Sequence, residues 1–405
     1  MKQALGAGFN ALVSLALVLW LARVMGVESF GHYVAVLSGA TVGLIVLEGG
    51  WSALLYRECA AGRAGHAVMA HATAHVVWTG GLAVLMCLMW WVADKQAMAW
   101  AAAWGCMALV ALMNLVSARL RGMGSFGREA LWQAAGRLVS ALMVWAWVGV
   151  VALPPQPEVV FAAWALGLLC VLVLARAWLA WPLWRGLWNA YPRTMPLVAS
   201  ALSMAWLLKG DMVLLSGWAM GAEGAPIAAA DLSLYAASTR LTEMGLLLFA
   251  PVSNVLLRLF VAPPEADVSA PAHKGHQPAT WLWRVMSLVG MCGAALVFVA
   301  IWLGAELMHA LFGAAYVPAG SFLPWVLLML PAACGNLVWI QWWMAQHAEQ
   351  MAARWLVLAG LVLWLVTPWA AQVGGVTAAA AAVALVHAVL WLVYAGAYWR
   401  RRRSG

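Results

Sequence analysis

Charge is what this chain has least of. Asp, Glu, Lys and Arg make up 9% of its 405 residues, against about 25% in a soluble domain. Hydrophobic residues make up 66%, and the mean hydropathy is +0.89. That balance argues against a soluble enzyme, a disordered regulator and a nucleic-acid-binding module. The net charge of +8 does not reverse this, because the basic residues sit in short breaks between apolar runs and cluster only at Arg400–Arg403. The six cysteines are scattered without a CxxC pair, which argues against a disulfide framework or a zinc site. His71 and His75 are four apart but have no Glu in an HExxH arrangement, so no metal is expected. The run Gly122–Gly127 spells GxGxxG, yet it follows an apolar helix rather than a strand, and the dinucleotide context is missing. No other nucleotide motif is present, no cofactor is implied, and no loop is long enough for a soluble catalytic domain.

What is present is a succession of long apolar runs. A bilayer core takes about 20 residues per helix. Twelve runs meet that length, near 4–22, 33–55, 68–92, 98–117, 131–153, 159–181, 196–219, 232–257, 281–303, 320–345, 354–372 and 376–398. Trp is abundant, at 29 residues, and Trp20, Trp78, Trp90, Trp181, Trp281 and Trp399 fall near run ends, as in an interfacial belt. The expectation is an all-α polytopic membrane protein of about twelve transmembrane helices.

Lys and Arg placement sets the orientation. With a cytoplasmic N-terminus, 18 of the 22 basic residues fall on the inner side, from Lys2 through Arg57, Arg119, Arg121, Arg128 and Arg258 to Arg400–Arg403. Only Arg23 and Lys95 fall outside, and Lys209 and Arg240 lie within spans. This bias supports twelve helices with both termini cytoplasmic. Arg137 and Arg176 lie slightly inside their spans, within snorkelling reach of the surface. The longest loop, Leu259–Thr280, carries four prolines.

The two halves resemble each other weakly. Ser52–Arg57 (SALLYR) matches Ser253–Arg258 (SNVLLR) at an offset of 201, Tyr33 matches Tyr235, and Met25-Gly26 matches Met220-Gly221. Six helices repeated in the same orientation imply two six-helix lobes, 1–188 and 189–405, related by a pseudo-twofold along the membrane normal.

Several segments, in order along the chain, carry a family resemblance. Ala22–Tyr33 (ARVMGVESFGHY) resembles the A-R-x-x-G-x-x-x-F-G-x-Y signature that follows the first helix of bacterial polysaccharide exporters. Glu48-Gly49-Gly50, Arg57-Glu58, the break Arg119–Arg128 with Arg137, Asp211–Leu215, Leu234–Arg240 and Leu311–Pro318 continue the likeness. The family is that of the O-antigen-type polysaccharide-biosynthesis flippases, within the multidrug/oligosaccharidyl-lipid/polysaccharide exporter superfamily. Two departures stand out: helix 2 carries Glu where Asp is commoner, and twelve spans rather than fourteen weaken a likeness to the lipid II flippase. The resemblance implies flipping of a polyprenyl-pyrophosphate-linked oligosaccharide across the bacterial inner membrane by alternating access. It also implies membrane lipids, a polysaccharide polymerase and other assembly proteins as partners, and no nucleic acid.

Intramembrane charges are the natural site candidates, since burying them in a bilayer is costly. Lys209 and Asp211 lie in span 7, and Arg240 and Glu243 in span 8 at similar depth. Either they form a neutral cluster, Asp211 with Arg240 and Lys209 with Glu243, or Lys209 and Arg240 draw a substrate pyrophosphate into a cavity. Glu48, beside two glycines, is a candidate for a protonatable coupling group, or else for a Glu paired with a polar group of a neighbouring helix. Arg57 and Arg258, related by the repeat, are candidates for phosphate contact at the cytoplasmic mouth or for headgroup anchoring. Asn10, Asn114, Asn254, Asn336 and Gln341 are candidates for glycan contacts or for helix glue.

Three function classes remain to be weighed. The oligosaccharide flippase leads. An ion-coupled multidrug or small-solute antiporter of the same superfamily is the alternative, disfavoured by the mixed signs of the buried charges. A membrane glycosyltransferase or polymerase needs a substantial outward loop, and the outward loops here are tiny.

Overall fold

The computed structural model describes residues 2–63, 65–174, 178–219, 227–260, 278–346 and 348–404. They are almost wholly helical, with no strand among the described residues. The elements are α1 (Lys2–Glu48), α2 (Trp51–Ala60), α3 (His66–Trp91), α4 (Ala97–Gly122), α5 (Phe126–Trp145), α6 (Pro157–Leu174), α7 (Leu187–Ala219), α8 (Ala229–Phe260), α9 (Pro278–Phe312), α10 (Leu323–Ala345) and α11 (Glu349–Ser404). A π turn, Ala146–Val150, closes α5, and a 3₁₀ helix, Ala314–Ser321, precedes α10.

Nine stretches of the described residues are long and apolar enough to cross a membrane. Two of them, in α1 and α11, run 41 and 54 residues, and at about 1.5 Å per residue each covers a 30 Å core twice. Each is broken by glycine: α1 at Gly26 (φ 75°, ψ 172°), α11 at Gly374 and Gly375. The side chains show the reversals. The Tyr394 hydroxyl donates to the Ala352 carbonyl at 2.8 Å, which a straight helix would hold tens of ångströms away. In α1, Gly6 abuts Ala130 and Gly149 abuts Trp20, so the first arm runs parallel to α5. Gly39 then abuts Trp100 and Gly122 abuts Tyr56, so the chain beyond Gly26 runs parallel to α4. Helices α4 and α5 are antiparallel, since Trp132 donates to the Met113 carbonyl and Ser117 to Glu129. Two double spans, seven single ones and the 32-residue α8 make the twelve crossings the hydropathy pattern predicts.

The chain divides into two compact units, Met1–Ala236 and Ala237–Gly405. The first is built on close helix approaches through small residues: a Cβ on Gly167 of α6 would lie 2.6 Å from the Ser140 Cα of α5. Main chain cannot step aside, so Gly167→Val is expected to force the two helices apart at a cost of about 1–3 kcal/mol. A drop of several degrees in the melting temperature of the detergent-purified protein checks this, and an unchanged melt would show that the approach is looser.

The second unit carries an aromatic cluster. Trp283 of α9 meets Trp339, Tyr398 and Trp399, and Trp342 meets Phe260 and Tyr398. Much of the mid-run tryptophan is packed here. Of the belt candidates, Trp78, Trp90, Trp181, Trp281 and Trp399 are exposed, while Trp20 is half-buried. Arg137 lies with its guanidinium 5.5 Å from the ring centroid of Trp164 on α6, a cation–π contact that holds it against the neighbouring helix. Arg176, Lys274, the Met220-Gly221 half of the repeat and residues 261–277 of the long loop lie outside the described residues.

Candidate functional site

In the first unit the site is made by a break in the chain. Helix α1 ends at Glu48, and Gly49 (φ 53°) and Gly50 (φ 73°) take left-handed conformations before α2 begins at Trp51. Both glycines are required twice over. The backbone conformation disfavours other residues, and a Cβ would lie 2.4 Å from His75 Nε2 at Gly49 or 2.8 Å from the Thr194 carbonyl oxygen at Gly50.

Ending a helix leaves carbonyls without partners. His75 of α3, buried, takes up one of them: its Nε2 lies 3.0 Å from the Val46 carbonyl oxygen. A carbonyl only accepts, so Nε2 carries the proton. In the neutral ring Nδ1 therefore accepts from the Tyr191 hydroxyl at 2.7 Å. Trp51, fully buried, packs its ring 6.1–6.3 Å from those of His71, His75 and Tyr191. His71 Nε2 lies 3.0 Å from the Arg185 carbonyl oxygen. Both histidines are thus engaged with main chain, and no cluster of metal ligands occurs among the described residues. Burial pushes the Tyr191 hydroxyl above the usual phenol range, so it stays a donor at neutral pH.

Glu48 stands at the edge of this break, half-buried, and accepts a 2.6 Å hydrogen bond from Asn114 Nδ2 of α4. Of the polar residues expected to line the spans, Asn114 is thus the partner of the candidate coupling carboxylate. Asn336 instead donates to the His387 carbonyl at 3.0 Å and ties α10 to α11.

The remaining candidates divide by unit. Asp211 of α7 is buried and accepts from the Tyr235 hydroxyl of α8 at 2.5 Å. Lys209 is half-buried on α7 and is also engaged. In the second unit Arg240, 5% exposed, donates through Nη1 to Glu243 Oε2 at 2.5 Å, one turn along the same helix. Positions three apart on a helix face each other, and Tyr235 reaches the aspartate. Arg240 Nε and Nη2 are buried without a hydrogen-bond partner. Arg57 is exposed in the last turn of α2. Arg258 lies near the end of α8, and its side chain, with that of Asn254, is outside the described residues.

Sequence reasoning missed the His75–Tyr191 pair. The sequence marks His75 only by its spacing from His71, which without a Glu between them points to no metal, whereas its role follows from the helix break 25 residues earlier.

No protein-family model matches the chain, and no curated protein matches it. Solved structures do. Over 97% of this chain and 94% of the other, it superposes on an inward-facing multidrug resistance MATE family transporter of the MOP superfamily, with a TM-score of 0.73 and 14% identity. The chain has the MATE transporter fold. An outward-facing conformation of a multidrug resistance MATE family transporter matches at 0.63 with 14% identity over 99% and 93%. A MOP superfamily transporter from Pyrococcus furiosus, whose binding pocket is described as reversed in polarity, matches at 0.64 with 15% identity over 99% and 93%. The MATE fold is a two-lobed arrangement of about twelve membrane helices, and the chain is a multi-pass membrane protein. The likeness lies with the superfamily named from the sequence motifs, and not with its O-antigen branch in particular.

Proposed function

We propose that the chain is an ion-coupled exporter that moves a small amphipathic solute by alternating access, with Glu48 as the coupling carboxylate. The observation that carries this is a carboxylate held by Asn114 at a two-glycine helix break, in a fold whose solved representatives include inward- and outward-facing multidrug transporters. A hinge beside a titratable group gives protonation a mechanical outlet. The buried charges do not oppose a cationic solute as strongly as their signs suggest, since Arg240 is balanced by Glu243.

The second reading is the lipid-linked oligosaccharide flippase of the bacterial inner membrane, with termini in the cytoplasm. Its support is the ordered run of sequence motifs from Ala22–Tyr33 to Leu311–Pro318. In that case Lys209, Arg240, Arg57 and Arg258 are the candidates for pyrophosphate contact.

One reconstitution separates the two. Proteoliposomes are given a proton gradient and either a fluorescent cationic dye or a polyprenyl-pyrophosphate oligosaccharide whose sidedness an impermeant reagent reads. Gradient-dependent dye movement without oligosaccharide exchange is expected. Oligosaccharide exchange without dye movement would replace antiport by flipping.

A further inference from the structure

A second feature lies away from Glu48, where α4 ends. A pocket of about 170 Å³ is lined by Val116, Arg119, Leu120, Met123, Arg128 and Trp178. Two guanidinium groups and an indole thus frame one small space. Arg119 Nη1 donates to the Trp178 carbonyl at 3.0 Å, which fixes the side chain. Trp178 is itself held against Trp132, with ring centroids 5.6 Å apart, and the Trp132 indole donates to the Met113 carbonyl. Arg119 Nε is buried and has no hydrogen-bond partner.

The nearby carboxylate is committed elsewhere. Glu129 accepts from Ser117 at 2.9 Å and sits 4.0 Å from Arg121, which is not a pocket residue. Neither Arg119 nor Arg128 has a carboxylate partner among the described residues. Two cations without an anion, one anchored and carrying a buried donor with nothing to bond, make an incomplete arrangement. A phosphoryl group completes it: planar guanidinium forks match its oxygens, and basic pockets between helices at the inner membrane face take acidic lipid headgroups. Trp178 in the lining suits the interface, where indoles are enriched.

We propose that this pocket binds a phosphoryl group, presented by an anionic phospholipid headgroup at the end of α4. The site is separate from Glu48 and does not depend on which solute is transported.

The test is lipid retention measured by native mass spectrometry, with phosphatidylglycerol against phosphatidylcholine, on wild type, Arg128→Ala, Arg119→Ala/Arg128→Ala and Arg119→Lys. Arg128 is exposed, so its loss leaves the fold intact. Wild type is expected to prefer phosphatidylglycerol roughly ten-fold, Arg128→Ala to lose most of that preference, the double variant all of it, and Arg119→Lys to keep part. Arg63→Ala, an exposed partner of Glu58, is the control and should behave as wild type. Millimolar inorganic phosphate separates the sources. If it raises the melting temperature of wild type but not of the double variant, and no lipid preference is seen, the phosphoryl site stands with a free anion as ligand. Equal phosphatidylglycerol retention by wild type and the double variant, with no phosphate effect on either, would overturn the proposal.

Discussion

Glu48→Gln is expected to abolish gradient-driven transport while leaving a folded protein. The substitution is nearly isosteric, and the Gln side-chain oxygen still accepts from Asn114, so the 2.6 Å contact survives in kind. Only the capacity to take up and release a proton is lost. Uptake into proteoliposomes under an imposed proton gradient should fall by roughly ten-fold or more, a barrier change of about 1.4 kcal/mol. Downhill exchange without a gradient should persist. Asn114→Leu gives the companion measurement: it keeps the charge, removes the hydrogen bond, and should shift the pH dependence of transport without abolishing it. If Glu48→Gln retains full gradient dependence, the carboxylate only closes the end of α1, and coupling belongs to another group.

The second large effect is on stability. Arg240 is 5% exposed and its salt bridge to Glu243 is local to α8. Removing Glu243 strands a buried cation that already holds two nitrogens without partners. Glu243→Ala is therefore expected to cost about 3–5 kcal/mol, read as a sharp fall in melting temperature and in the yield of monodisperse protein. Arg240→Met/Glu243→Leu removes both charges and keeps volume, and should recover most of the loss. The double variant also separates two roles for Arg240. If stability returns and transport returns with it, the pair only holds the helix. If stability returns and transport does not, Arg240 handles the solute. A Glu243→Ala variant as stable as wild type would show that the guanidinium reaches water.

Hydropathy and charge placement made the twelve crossings legible, because a bilayer demands about 20 apolar residues whatever their identity. The double spans were delimited as well: the breaks at 23–32 and 373–375 contain the reversals at Gly26 and Gly374–Gly375. What the sequence did not show is that one or two glycine dihedrals make each reversal while the helix continues on either side. Intramembrane charges were legible as candidates, and the three-residue spacing of Arg240 and Glu243 already put that pair on one helix face. The Tyr235 hydroxyl that reaches Asp211 was not legible, because it depends on how α7 and α8 pack. His75 shows the same limit. Its imidazole is defined by a carbonyl that only a broken helix leaves open.

The two-glycine joint has no counterpart in the second half. At the repeat offset of 201 the equivalents of Gly49 and Gly50 are Ala250 and Pro251, and α8 runs through them without interruption from Ala229 to Phe260. The two stretches that the sequence motifs align are therefore built differently. A load on the ten-residue α2 is taken up by the dihedrals of two residues, whereas α8, about 48 Å long, stays one helix and gives up only the backbone hydrogen bond that its interior proline cannot donate. The likeness of the motifs does not extend to their mechanics: one segment is a jointed strut, the other a beam notched at a single point.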